Sequence, residues 1–320
     1  MENVAASRPK HKSLRTHLYE FRLQWELQLM VLPWFILVLV FMYLPMFGLV
    51  MAFQDFRLGD SIGFSRWVGF EHFRMFFNSP NFWPIMRNTL AISFLRLVFA
   101  FPIPIILAIM LNEVRHLWFK KSVQTISYLP HFISWVVVAG ITIDLLSPDG
   151  GSINAFLLSL DLIERPILFM GETRFFWAIV VITDIWKTVG WSAIIYIAAI
   201  AGINPELYQA ADIDGAGRMR KIWHITLAGI KPTIVVLLIM SVGWILSAGF
   251  EQILLLTNNL RNTMVFEVSE IIDTYVFRVG LSNMRYSYAA AVGLFKSVTS
   301  VFLLLLANYA AKKISGENLF

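Results

Sequence analysis

The 320-residue chain contains no cysteine, which excludes a disulfide framework and a thiolate metal site. Charge is scarce too: Asp, Glu, Lys and Arg make up 15%, where soluble globular chains carry about 25%. No GxxxxGK[ST] occurs. The Lys-Ser and Lys-Thr pairs at Lys12, Lys121, Lys187 and Lys296 have no glycine immediately before them, so the chain cannot build a Walker-A phosphate cradle of its own. No His/Glu cluster has metal-ligand spacing, and no nucleophile–base pair is readable. The sequence therefore offers no catalytic residue, no metal ligand and no cofactor site. A soluble enzyme and a self-contained ATPase are excluded on these grounds, and the case for an intramembrane hydrolase is weak.

What the chain has is apolar length. Hydrophobic residues make up 58% of it, in runs of the length that about 20 residues need to cross roughly 30 Å of hydrocarbon. The reading is an all-α integral membrane protein with six transmembrane helices. The spans fall at about 29–53, 88–112, 123–146, 175–202, 233–257 and 287–311. They form one transmembrane domain, 29–311, between a cytoplasmic N-terminal segment, 1–28, and a cytoplasmic tail, 312–320. The first 28 residues are charged and lack a small-residue cleavage site, which predicts no cleaved signal peptide. Pro33, Pro45, Pro102, Pro104 and Pro130 lie inside spans, and the pair at 102 and 104 predicts a bent or locally unwound helix.

The net charge of +5 points to loops, not to nucleic acid. With the N-terminus inside, the four cytoplasmic segments hold five, three, four and two Lys and Arg, and the three external loops four, two and three. Cytoplasmic loops carry the excess in membrane proteins, so both termini are expected in the cytoplasm.

The connection 203–232, between spans four and five, is more than a tether. Asn204-Pro205-Glu206 has the form of an N-cap, a proline at the first helical position and an acid in the first turn. A short helix runs on from there to Asp214 and is stopped by Gly215. A second begins near Arg218, sets Ile222 and Ile225 on one face and stops before Pro232. Two short helices hinged at a glycine make a projecting knob suited to docking.

The run Gln209-Ala210-Ala211-Asp212-Ile213-Asp214-Gly215-Ala216-Gly217, with Ile225-Thr226-Leu227 beyond it, resembles the "EAA" signature of bacterial ATP-binding-cassette importer permeases. In that family the loop is a coupling helix seated in a cleft of the cytoplasmic ATPase. The resemblance assigns docking to Glu206, Tyr208, Gln209, Ala210, Ala211, Asp214, Gly215, Ala216, Ile225 and Leu227. Gln209 stands where the family usually has glutamate, and Ala228 where it usually has proline. Tyr43-Leu44-Pro45-Met46-Phe47-Gly48, Leu129-Pro130-His131-Phe132-Ile133-Ser134-Trp135 and Tyr288 to Ser297 are similar to the carbohydrate-importing permeases, most of all the subgroup handling large oligosaccharides, alginate importers among them. The likeness covers nearly the whole chain from Leu29.

The resemblance implies a bacterial inner-membrane complex. It would contain a second permease chain, two ATPase subunits that hold ATP and Mg, an extracytoplasmic solute-binding protein and an oligosaccharide cargo, all set in membrane lipid. ATPase closure would move Pro205 to Leu227 as a lever between inward- and outward-facing states.

Charge inside a span needs an explanation. Asp184 and Lys187 are three apart, so they either neutralise each other or line the pathway. Arg96 either snorkels to the outer face or lines the pathway. Glu251 and Lys296 are read as pairing partners at helix contacts, with Glu251 also a pathway candidate. Trp186, Trp191 and Trp244 either stack on sugar rings or anchor at the interface. Small residues at Ala198, Ala199, Ala201 and Gly202, and at Gly243, Ser247 and Gly249, predict close helix packing. Two rival functions stay open from the residues alone. One is an ion-coupled secondary transporter using Asp144, Asp184 or Glu251; the other is a membrane anchor recruiting an enzyme through the knob.

Overall fold

A computed structural model describes residues 23–57, 59–60 and 63–316. The basic residues between Arg8 and Arg22, and residues 317–320 of the expected tail, lie outside the described residues. Among the described residues there is no strand, only an isolated antiparallel bridge between Gln54 and Trp67. Four helices are long and apolar enough to cross a membrane, or up to six if each of two bent pairs is one span.

The four are α1 (Trp25–Phe53), α2 (Phe82–Glu113), α5 (Thr173–Ala201) and α10 (Tyr286–Ser315), and among the elements between them are α3 (Leu117–Phe132), α4 (Trp135–Leu145), α6 (Pro205–Ile213), α7 (Arg218–Gly229), α8 (Lys231–Gly243) and α9 (Phe250–Leu256). The described residues divide into two compact units, one up to Val50 and the other from Met51. The site lies in the second.

The prolines act as their chemistry requires. Pro102 has no N–H to donate and its ring crowds the preceding turn, and α2 answers with a π-helical turn over Arg96–Ala100. Phe101 N–H donates there to the Arg96 carbonyl at 3.0 Å. The span expected at 123–146 is instead two helices, α3 and α4, bent by 102°. Ile133 is extended and Ser134 caps the new helix, accepting from Val137 N–H at 3.4 Å.

The span expected at 233–257 is corrected as well. α8 ends at Gly243, Trp244–Gly249 is not helical, and α9 is a separate short helix. The second bent pair is α7 with α8, at 59°. Gly249 takes φ +88°, a conformation that costs any residue with a Cβ, and a helix cannot run through it.

α5 is the axis of the core in this unit. Its N-terminal half, with Phe176, Ile179 and Val180, packs with Ile92, Ala248, Ile253 and Leu256. Its C-terminal half, with Ala193, Tyr196 and Ile200, packs with Ile105, Ala108 and Ile230. The closest approach is at Gly190, where a Cβ would run into the Ser127 carbonyl of α3. The small residues expected at a tight interface further along, Ala198, Ala201 and Gly202, are exposed. Gly243 does pack closely, against Leu304 of α10.

Candidate functional site

The knob between α5 and α8 assembles from local rules. Asn204 accepts a hydrogen bond from Glu206 N–H at 3.0 Å, and Pro205 takes the first helical position. At the other end Gly215 adopts φ +69°. Ala216 N–H donates to the Ala211 carbonyl at 2.8 Å and Gly215 N–H to Asp212 at 3.1 Å, the bonding of a Schellman stop. Three side-chain contacts tie α6 to α7 and α7 to α2. Lys221 meets Asp212 at 2.5 Å, Tyr208 shares a hydrogen bond with Thr226 at 2.9 Å, and Arg218 meets Glu113 of α2 at 2.5 Å.

Glu206, Gln209, Ala210, Asp214 and Gly215 are exposed, Tyr208, Ala211, Ala216 and Ile225 half-buried. Leu227 packs on the core with Ile230 and Ile200. Sequence reasoning passed over the apolar side chains that the knob presents outward: Ile213 is 88% exposed and Met219 73%.

Inside the membrane region α2, α5, α8 and the break at 244–249 enclose a cleft of about 390 Å³. Of the seven pathway candidates, Arg96, Trp191 and Trp244 line it, while Asp184, Trp186, Lys187 and Glu251 do not. Trp191 stacks on His131 with ring centroids 4.5 Å apart and planes within 2°, which fixes one indole as a wall. Five hydroxyl residues missed by sequence reading share the lining: Ser93, Thr188, Ser192, Tyr196 and Ser241. The signal was present as hydroxyls one turn apart, such as Thr188 and Ser192, within apolar runs.

Three expectations about charge are corrected here. Arg96 does not snorkel outward. It is held by Asp184 at 3.5 Å and donates to Gln252, whose amide in turn donates to the Val180 carbonyl at 2.8 Å and to Thr183 at 2.6 Å. Asp184 does not neutralise Lys187. The Lys187 ammonium turns away and donates to the carbonyls of Pro130, His131 and Ile133 at the α3–α4 break. Carbonyls at a helix C-terminus carry partial negative charge, so they compete with a carboxylate three residues away. Lys296 pairs with Asp273 at 2.5 Å, not with Glu251. Glu251 is exposed and makes no ion pair among the described residues, and Asp144 is exposed too.

Chemically the cleft offers two indoles, several hydroxyls and one cation, a set that suits a polyhydroxylated ring with an apolar C–H face. Among the described residues no group of His, Cys, Asp and Glu is placed to hold a metal ion.

Residues 100–316 match the family model described as a binding-protein-dependent transport system inner membrane component. The chain is 46% identical over 296 residues to Protein LplB of Bacillus subtilis (strain 168), covering 92% of this chain and 91% of that protein. It is 44% identical over 320 residues to the polygalacturonan/rhamnogalacturonan transport system permease protein YteP of the same organism, with 100% and 97% covered. Among solved structures, a chain of a bacterial ABC transporter involved in the import of the acidic polysaccharide alginate matches with TM-score 0.85 and 41% identity, covering 94% of this chain and 99% of that one.

Proposed function

We propose that this chain, which belongs to the binding-protein-dependent transport system inner membrane components, is the permease subunit of an ATP-driven oligosaccharide importer and forms half of its translocation pathway. In this reading the permease has six spans with both termini inside, and the cytoplasmic parts are 1–28, the connection between spans two and three, the knob within 203–232, and 312–320. The partners in this reading are a second permease chain, two ATPase subunits holding ATP and Mg, and an extracytoplasmic solute-binding protein. The cargo class is an acidic oligosaccharide such as those named for the alginate and polygalacturonan relatives.

One observation carries the reading: the cleft places Trp191 and Trp244 beside the hydroxyls of Thr188, Ser192 and Ser241, between apolar helices. Aromatic faces interleaved with hydroxyls on one wall suit a sugar. The knob supports the coupling half of the proposal. Its ion pairs to Glu113 and within itself make it stiff enough to pass a push from an ATPase to α2 and α8. The residues we assign to the docking surface are the exposed Glu206, Gln209, Ala210, Asp214 and Gly215, with Ile213 and Met219 added.

A secondary transporter would use a free carboxylate on the pathway; Asp184 is paired with Arg96, and Asp144 and Glu251 are exposed but lie off the cleft wall. The test is uptake by proteoliposomes. The complete complex should take up oligosaccharide only with ATP and binding protein, and this chain alone should take up none under an ion gradient. Gradient-driven uptake by the single chain would overturn the proposal.

A further inference from the structure

The cleft has one charged side chain on its wall, Arg96, and it is built in with care. The guanidinium lies against Gly249, where a Cβ would sit 2.5 Å from Nη2 and 2.8 Å from Nη1. The chain thus uses a glycine at φ +88° to make room for it. Behind it stands Asp184, at 3.5 Å, longer than the roughly 2.7–2.9 Å of a closed charge-assisted hydrogen bond. Asp184 is not part of the cleft lining, so the pair turns its positive end to the cleft and its negative end away.

The guanidinium also has capacity left. Arg96 Nε is buried without a hydrogen-bond partner among the described residues, and so is Ser93 Oγ, one turn earlier on the same wall. Buried polar atoms are almost always paired. Both atoms are shielded from solvent but belong to residues that line the cleft, so a carboxylate entering there would give them the acceptor they lack. A guanidinium is the side chain best shaped to hold a carboxylate by two parallel bonds.

We propose that Arg96, with Ser93 beside it, forms a carboxylate subsite in the cleft that selects an acidic sugar residue over its neutral counterpart. This rests on the cleft being the pathway, as proposed above, and adds to it a specificity-determining residue. Asp184 and Gln252 are its positioning residues, since they hold the guanidinium and do not reach the cleft wall themselves.

The experiment uses the complete reconstituted transporter and two probes, an oligogalacturonate and its methyl ester, which keeps the rings and removes the charge. Wild type should take up the acid at least about tenfold better than the ester, the discrimination that one charge-assisted contact gives. Arg96→Gln should abolish that preference by lowering acid uptake alone. Arg96→Lys, which keeps the charge without the fork, should retain part of it. Trp244→Ala should lower uptake of both probes together. Equal uptake of acid and ester by wild type, or an unchanged preference in Arg96→Gln, would overturn the subsite. So would a loss in both Arg96 variants that falls equally on the two probes. The pathway reading fails separately, if Trp244→Ala and Trp191→Ala leave uptake of both probes untouched.

Discussion

Two helices of the membrane region are broken, and the breaks are mended differently. At Phe132–Trp135 the chain turns by 102°, and the carbonyls at the turn are gathered by Lys187 from α5. At Trp244–Gly249 the break is met by Arg96 from α2, which bonds to the side chains of Gln252 and Asp184 instead. An ammonium on a flexible stem is a point charge with three donors, and here all three are turned to backbone. A guanidinium is a flat fork whose donors face several ways, so it can hold two partners and still keep an edge toward a cleft. The first cation closes a structure; the second leaves a site open. Lys187 is 7% exposed and absent from the cleft wall, whereas Arg96 is on it.

The sharpest way to break this contrast is Lys187→Met. An acceptor buried without its donor costs about 1–3 kcal/mol, and here the His131 and Ile133 carbonyls lose the ammonium at once, while that of Pro130 keeps Ile133 N–H. We expect the variant to accumulate several-fold less in the membrane and to lose helix at lower temperature, read by quantitative blotting and by circular dichroism in detergent. Asp184→Asn, at the other break, should cost less, because the amide oxygen can still accept from Arg96 and the guanidinium keeps its bond to Gln252. Normal amounts of Lys187→Met would mean that the carbonyls find other partners and that the two breaks are alike.

A second test moves outside the membrane, to a turn that owes nothing to either cation. Gly215→Val puts a β-branched residue at φ +69°, where only glycine sits without strain. The spans satisfy their own backbone bonds without the knob, so the variant should insert at normal abundance. Misaligning one docking contact by about 1.4–2.8 kcal/mol would cut coupling ten- to a hundredfold. Substrate-stimulated ATP hydrolysis and uptake should therefore fall together, and Ala210→Asp should act in the same way. Full uptake with either variant at normal assembly would reduce the loop to a connector.

The knob was legible in the sequence and the breaks were not, for one physical reason. Asn204-Pro205 and Gly215 act within a few residues of themselves, so composition reveals both ends of α6. Apolar length is local as well, which is why the long spans fall within a few residues of 29–53, 175–202 and 287–311. A break is a negotiation with another helix. Pro130 announces a weak point, but nothing near it says that Lys187, 57 residues on, will stabilise a 102° turn. Trp244–Gly249 has no proline at all. Spacing misled most at Asp184 and Lys187: three residues apart permits a meeting, and says nothing of Arg96 and three carbonyls as better partners. The cleft was half legible. Tryptophans in spans drew attention, while Ser93 and Gln252 matter only through what they face.

The smallest effect should come from the cleft walls, and it bears on what Arg96's open edge is for. Trp191 is locked flat against His131, so its indole is already placed before any cargo arrives. Trp244 stands in the break, 68% exposed and with no ring partner among the described residues. A pre-placed wall loses little binding to ordering, and a mobile one loses more. Trp→Phe keeps an aromatic face for a sugar's C–H surface, and Trp→Ala removes it. We therefore expect Trp191→Phe and Trp244→Phe to transport within about twofold of wild type. The alanine variants should fall further, by roughly three- to tenfold for the 0.5–1.5 kcal/mol that an aromatic contact contributes beyond its area, with Trp191 the more sensitive. Initial uptake rates of one oligosaccharide across the four variants, normalised to assembled complex, decide it. If phenylalanine and alanine are tolerated alike at both positions, the indoles are interface anchors and the cleft reads its cargo through Arg96 and hydroxyls alone.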